Sequence, residues 1–266
     1  MKSILHFRKL LLLLFFVVIY SSNNYAQVIV GTGTAAYAGN SAPNPYGAYF
    51  TSSRVQYLIL ASELNSSGLF GSTTLKSLGF NISAVGTGGA ATPCPAVGQH
   101  LGFTIKLKNT TATSLTTTFD NSGLTTVFNP TNFTQSTVGW NIHLFNTNFT
   151  WDGVSNLIVD VCHDNSPSGA TCYSNSPSYI FTTTAFTSVN HTWSDNAGSL
   201  CGSASGTTTS NLNTRPNMRF DYSSVTTSIQ PPIANFYTPD TVWINSPAVL
   251  INTSSNQSRV FWDLPN

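Results

Sequence analysis

Apolar and polar residues alternate with a period of two along several short runs of the chain. In LGFTIKLKN (101–109), Leu101, Phe103, Ile105 and Leu107 fall on one side and Thr104, Lys106 and Lys108 on the other. In LKSLGFNIS (75–83), Lys76, Leu78, Phe80 and Ile82 share one face, and Leu75, Ser77, Gly79 and Asn81 share the opposite one. NLIVDVCH (156–163) aligns Leu157, Val159 and Val161, and NMRFDY (217–222) aligns Met218 and Phe220. VQYLILA (55–61) is apolar on both faces, while LTTVFNP (124–130) and GWNIHLFN (139–146) read as further strands. Each run has strand length and is bounded by turn residues. Strands recurring without long helical stretches predict an all-β fold, a jelly-roll-like antiparallel sandwich of two sheets. The one helical fragment expected is SELNSSGLF, with Ser62 as N-cap and Gly68 as stop.

The ends of the chain break this pattern. MKSILHFRK supplies a basic start, LLLLLFFVVIY (10–20) an apolar run, and SSNNYAQ a polar stretch with small Ala26 before a cleavage point. The apolar run is shorter than the ~20 residues a membrane span needs, so residues 1–26 read as a signal peptide. The mature protein is then expected outside the cell or on its outer surface, without spanning a membrane. TTSIQPP (226–232) reads as a linker, because its prolines cannot donate to a sheet. The sandwich is assigned to 27–225 and a second unit to 233–266.

Composition narrows the function classes. Charged residues make up 7% of the chain and the formal net charge is +1. The cations are scattered, with no stripe to displace counterions from a nucleic acid, so nucleic-acid binding is not expected. Thr, Ser, Asn and Gly take the place of charge, which suits a hydroxyl-rich sandwich surface. The four cysteines Cys94, Cys162, Cys172 and Cys201 contain no CxxC pair, and export favours disulfides over a metal. Cys162–Cys172 is expected to close a hairpin-like loop, with Cys94–Cys201 as the long-range link.

No reactive set emerges. There is no G-x-S-x-G elbow, and His100, His143, His163 and His191 fall on separate predicted strands or loops, as surface or satisfied polar side chains. In CHDN (162–165), strand alternation sends neighbours to opposite faces and prevents their convergence. Glu63 is the single glutamate, and nothing marks an opposed carboxylate pair. No catalytic residue and no cofactor is therefore assigned. Asp152, Asn156, Asp164 and Asn165 are the weaker candidates for a structural Ca²⁺, set against ordinary Asx turns; Asp152-Gly153 itself suits a tight turn between strands. Tyr37, Tyr46, Tyr49 and Trp193 are candidates for ligand stacking, while Trp140 and Trp151 read as core anchors.

Residues 30–222 resemble a sandwich module from secreted proteins of Bacteroidetes. The resemblance is carried by GTGTAAYAGNSAPNPYGAYF, RVQYLILASEL, GFTIKLKNTTATSL, GWNIHLFNTNFTWDGVSNLIVDVCHDN and TRPNMRF. It implies a front module of a multidomain surface protein, of a kind often exported by type IX secretion, and it brings no catalytic set. PPIANFYTPDTVWINSPAVLINTSSNQSRVFWDL resembles the first half of a PKD domain, an immunoglobulin-like sandwich. Trp262 and Asp263 match that family's turn, whereas Leu264, Pro265 and Asn266 depart from it, so the second unit is expected to be partial. The expected function is a non-catalytic structural or adhesion protein. The alternatives are a carbohydrate-binding module of a larger secreted enzyme and, last, a secreted hydrolase. Expected partners are a polysaccharide or a cell-surface protein.

Overall fold

The computed structural model describes residues 25–38, 43–87, 96–165, 175–195, 199–206, 212–224, 235–237 and 251–254. Residues 1–24, Cys94, Cys172, residues 226–232, Trp262 and Asp263 therefore lie outside the described residues. The chain divides after Ser224 into two units.

The first unit is an antiparallel β-sandwich. Its first sheet runs β1 (Ala26–Val30), β12 (Met218–Ser224), β4 (Thr73–Ala84), β7 (Gly139–Trp151). β9 (Ser178–Thr183) continues it at one end, pairing with β2 (Ala36–Tyr37) and β11 (Thr214–Pro216). The second sheet has the order β10 (Val189–Ser194), β3 (Ser52–Ile59), β8 (Asn156–Asp164), β5 (Gln99–Thr110), β6 (Thr125–Thr134). In the second unit, β13 (Phe236–Tyr237) pairs antiparallel with β14 (Ile251–Asn252).

The two inner faces enclose the core. Leu78, Phe80 and Ile82 of β4 and Met218 and Phe220 of β12 belong to one buried cluster with Val55 and Tyr57 of β3, Phe103 and Ile105 of β5, and Val159 and Val161 of β8. Trp151 closes it, fully buried, with its indole N–H donating to the Ser155 carbonyl at 2.7 Å.

Strict alternation fails at two bulges, and both change the core. The β4 register shifts between Leu75 and Ser77, so Leu75 joins Leu78, Phe80 and Ile82 inside instead of lying opposite them. The β5 register shifts between His100 and Phe103, and Gly102 there has φ +62°. One extra residue is absorbed by the bulge, which places both His100 and Phe103 inward and removes Leu101 from the inner row.

All of β3 is buried because the outer face of the second sheet is also covered. Leu58 and Ile158 pack with Leu115, Leu124 and Phe186 from loops. Beside them Arg54 and Asp160, both fully buried, pair at 2.6 Å. Gln56 Nε2 donates to the same carboxylate oxygen at 2.7 Å, and the guanidinium lies 4.4 Å from the Phe119 ring centroid. Burying two charges costs several kcal/mol, offset only by such close pairing and hydrogen bonding.

The short helix, α1 (Ala61–Ser66), starts earlier than the Ser62 cap would place it. Its N-cap is Leu60, whose N–H donates to Glu63 Oε2 at 2.8 Å. A carboxylate at the third helical position satisfies the orphan amide that no serine hydroxyl reaches. Glu63 is itself held by Arg215 Nη2 at 2.7 Å. Gly68, at φ +99°, lies just past the helix end as expected.

Candidate functional site

Two features share one end of the second sheet. β10, β3 and β8 bring Ser194, Ser52 and Asp164 into register there, and Ser52 Oγ donates to Asp164 Oδ1 at 2.8 Å. The preceding Thr51 donates both its N–H and its hydroxyl to Asp195 Oδ1, at 3.1 and 3.2 Å.

The first feature is an aromatic group at the β10 edge. Tyr49 meets Phe50 edge-on at 5.2 Å between centroids, Phe50 lies 5.0 Å from Trp193, and Trp193 stacks on His191 at 5.3 Å. The interplanar angles at Trp193 are 31° and 17°. His191 thus stacks near-parallel on the indole and Phe50 lies tilted against it, so both occupy ring area that a sugar ring would use. Tyr49 is the open member, 44% exposed.

The second feature is a groove of about 370 Å³ on the outer face, between β5, β6 and residues 199–201. Its walls include Leu101, Thr104, Lys106, Thr126, Pro130, Asp164 and Cys201. Gly102 adds open floor, since a Cβ placed there would meet no atom within 4 Å. Lys106 Nζ donates to the Cys201 carbonyl at 3.3 Å. The groove therefore offers an ammonium, a carboxylate and hydroxyls against an otherwise apolar wall, a mix that suits ligand orientation.

The groove wall rests on a disulfide that differs from both expected pairs. Cys162 bonds Cys201, with Cα atoms 5.3 Å apart. β8 carries Cys162 on the outer face, directly beneath residues 199–206, whereas proximity in sequence had suggested Cys172. Sequence spacing carries no information about a cover that folds back across a sheet.

The other expected site residues scatter. Tyr46 is fully buried, sharing a hydrogen bond of 2.7 Å with His143 Nε2 and packing on Phe80, Phe103 and Phe133. Tyr37 packs on Tyr179 and Phe181. Trp140 lies half-buried in register with Asn81 on the outer face of the first sheet, so only Trp151 is a core anchor. The four calcium candidates split between opposite ends of β8. Asp152 caps its own turn, accepting from Val154 and Ser155, and Asn156 bonds Ala61 and Ala112. Asp164 faces Ser52, while Asn165 bonds Leu101 and Gln99. An eight-residue strand span is roughly 26 Å, far beyond a shared coordination shell.

His100, His143, His163 and His191 are neither surface groups nor scattered. All four are buried, and His100, His143 and His163 gather in the core although they come from three strands. His100 and His163 have ring centroids 4.7 Å apart, and His143 stacks on Phe103 at 4.8 Å. Burial holds the His143 imidazole down to about 3. At His163 burial again dominates, with the Gly47 carbonyl and Asp164 acting the other way, and the value is about 4. Burial, then the neighbouring His163 and His143, pushes His100 well below its ordinary range. Neither ring nitrogen of His100 has a hydrogen-bond partner.

Ser53 Oγ lies 2.9 Å from His163 Nε2, the spacing of a nucleophile and its base. The same nitrogen lies 2.6 Å from the Gly47 carbonyl. A carbonyl oxygen only accepts, so Nε2 carries the proton and donates it there. With no lone pair left on Nε2, this imidazole does not take a proton from Ser53. Among the described residues, no three His, Cys, Asp or Glu side chains are placed to hold a metal ion, and no helix is long and apolar enough to cross a membrane.

No family model, curated protein or solved structure matches this chain.

Proposed function

We propose that this chain is a secreted or cell-surface, non-catalytic adhesion protein whose sandwich presents the groove and the Tyr49 edge to a partner. The observation that carries the reading is the groove of about 370 Å³ on the outer face of the second sheet, with the exposed Tyr49 ring at the same strand ends on the opposite edge. Supporting it, the contact of Ser53 with His163 at catalytic distance has its imidazole proton committed to Gly47. The resemblance to front modules of Bacteroidetes surface proteins agrees with such a role, the PKD-like tail acting as a spacer. Loops on a rigid sandwich frame supply adhesion without chemistry at the site.

A carbohydrate-binding module is the second reading, and the exposed ring of Tyr49 favours it. Whole-cell binding and a glycan array, both run on the mature chain, test the two together. Cell binding lost on Lys106→Ala with no glycan signal supports the first. Glycan binding lost on Tyr49→Ala but kept on Lys106→Ala supports the second. Equal cell binding by the parent and both variants would refute the assignment of this end of the sandwich.

A further inference from the structure

We propose that the Cys162–Cys201 disulfide is a redox latch that completes the groove wall, so that the groove is fully formed only in the oxidised protein. Its consequence for binding rests on the reading of the groove given above; its chemistry does not.

Residues 199–206 lie over the outer face of the second sheet. Their other polar ties are individual hydrogen bonds. Phe119 N–H donates to the Ala204 carbonyl at 2.9 Å and Gly206 N–H to the Thr117 carbonyl at 2.6 Å. Arg54 Nη1 and Asn121 Nδ2 both donate to the Ser203 carbonyl, and Lys106 Nζ donates to the Cys201 carbonyl. Single hydrogen bonds contribute about 1 kcal/mol each, and about 1.5–3 kcal/mol where one group is charged, so the covalent link is the strongest individual tie of this segment to the sheet.

One feature opens that link to exchange. Cys201 is half-buried and lines the groove, which gives a small thiol a route to that side of the bond, whereas Cys162 is buried on the other. The thiolate of a dithiol attacks Cys201 Sγ, and the Cys162–Cys201 bond breaks. Cys162 leaves as thiolate and takes a proton from solvent. The reagent's second thiol closes on the mixed disulfide and frees Cys201. The dithiol is oxidised and the protein gains two thiols.

The test titrates the folded wild-type chain with dithiothreitol. It traps thiols by alkylation, maps them by peptide mass spectrometry, and follows hydrogen exchange and far-UV circular dichroism. Cys162 and Cys201 should become alkylated while the dichroism is unchanged. The Phe119 and Gly206 amides should then exchange at least about tenfold faster, with the β3 and β8 amides still protected. Alkylation only together with loss of the dichroism signal would overturn the latch, and so would unchanged exchange at Phe119 and Gly206 after reduction. A Cys162→Ala/Cys201→Ser chain should show the opened pattern without reductant; its failure to fold would equally overturn the proposal, because a latch requires a fold that survives opening. Cell binding retained by the opened protein would leave the latch standing and overturn the groove's part in adhesion.

Discussion

Mild acid should destabilise this sandwich through its buried imidazoles. His143 and His163 titrate at about 3 and about 4 in the fold against an ordinary 6.5, and His100 is shifted in the same direction. Between the two limits the unfolded chain binds protons that the fold refuses, so stability falls as pH falls. The contribution is whole above about pH 6.5, is lost through the window down to about pH 4, and flattens below the folded values. One pKa unit corresponds to about 1.4 kcal/mol. Moving from about pH 8 to about pH 5 therefore costs about 2 kcal/mol for each of His143 and His163, or about 4 kcal/mol for the two, and His100 acts in the same direction. Domains are stable by only 5–15 kcal/mol, so this loss is a large share of the total. Asp120 and Asp152 do not interfere. Burial raises each, but hydrogen bonds from Lys108 and Ser122 at the first, and from Ser155 and Val154 at the second, outweigh it. Both titrate below the ordinary 3.8 and act only at lower pH.

Urea unfolding, followed by tryptophan fluorescence at constant ionic strength, measures the effect. The slope should reach at least about 2–3 kcal/mol per pH unit between about pH 6 and about pH 5, the share of His143 and His163. His100→Phe removes one proton site together with two unpartnered buried nitrogens. Its slope should be shallower than the parent's, with little loss at neutral pH. Stability flat or rising from about pH 7 to about pH 5 would refute the buried, neutral assignment of these rings. A His100→Phe slope equal to the parent's would remove His100 from it.

The remaining predictions concern packing. Arg54→Met strands the Asp160 carboxylate in a dry site and should cost about 3–5 kcal/mol; adding Asp160→Leu should recover most of it. A double variant as unstable as the single one, in urea titrations, would disprove the pairing argument. Trp151→Ala and Phe103→Ala each empty a fully buried ring position and should cost about 3–5 kcal/mol; an unchanged thermal midpoint would contradict their place in the core. Gly153→Ala and Gly68→Ala separate two costs. Both glycines have positive φ, but a Cβ at Gly153 would meet the Gly71 backbone at 2.5 Å, while one at Gly68 meets nothing. Gly68→Ala should therefore cost only about 1 kcal/mol in conformation and Gly153→Ala clearly more; equal melting temperatures would show that the loop contact relaxes freely.

Much of the sandwich was legible because burial on a strand is periodic. Leu78, Phe80 and Ile82, and Leu157, Val159 and Val161, fall inside where alternation puts them. The double-sided apolar run of β3 was legible too, and its cause is the loop layer that packs Leu115 and Phe186 over Leu58. Alternation then misled wherever a strand took in an extra residue. Leu75 lies inside because of the β4 bulge, and His100 because Gly102 adopts a left-handed conformation next to it. A bulge depends on pairing with a partner strand, and a single run of residues does not record that pairing.

The site was harder to read for the same reason. Its parts come from segments far apart in sequence, and their meeting is a property of strand order. Tyr46 and Tyr49 sit three residues apart in one Pro/Gly-rich loop, yet one is sealed in the core and the other is open to solvent. Nothing in residue type separates them; what does is His143 and the ring cluster beneath Tyr46, contributed by strands about 60 to 100 positions away. Cys162 likewise meets Cys201 across 39 residues because residues 199–206 fold over β8. The partner of a buried polar or sulfur atom is therefore the part of this molecule that only topology supplies, and the acid and redox experiments probe it directly.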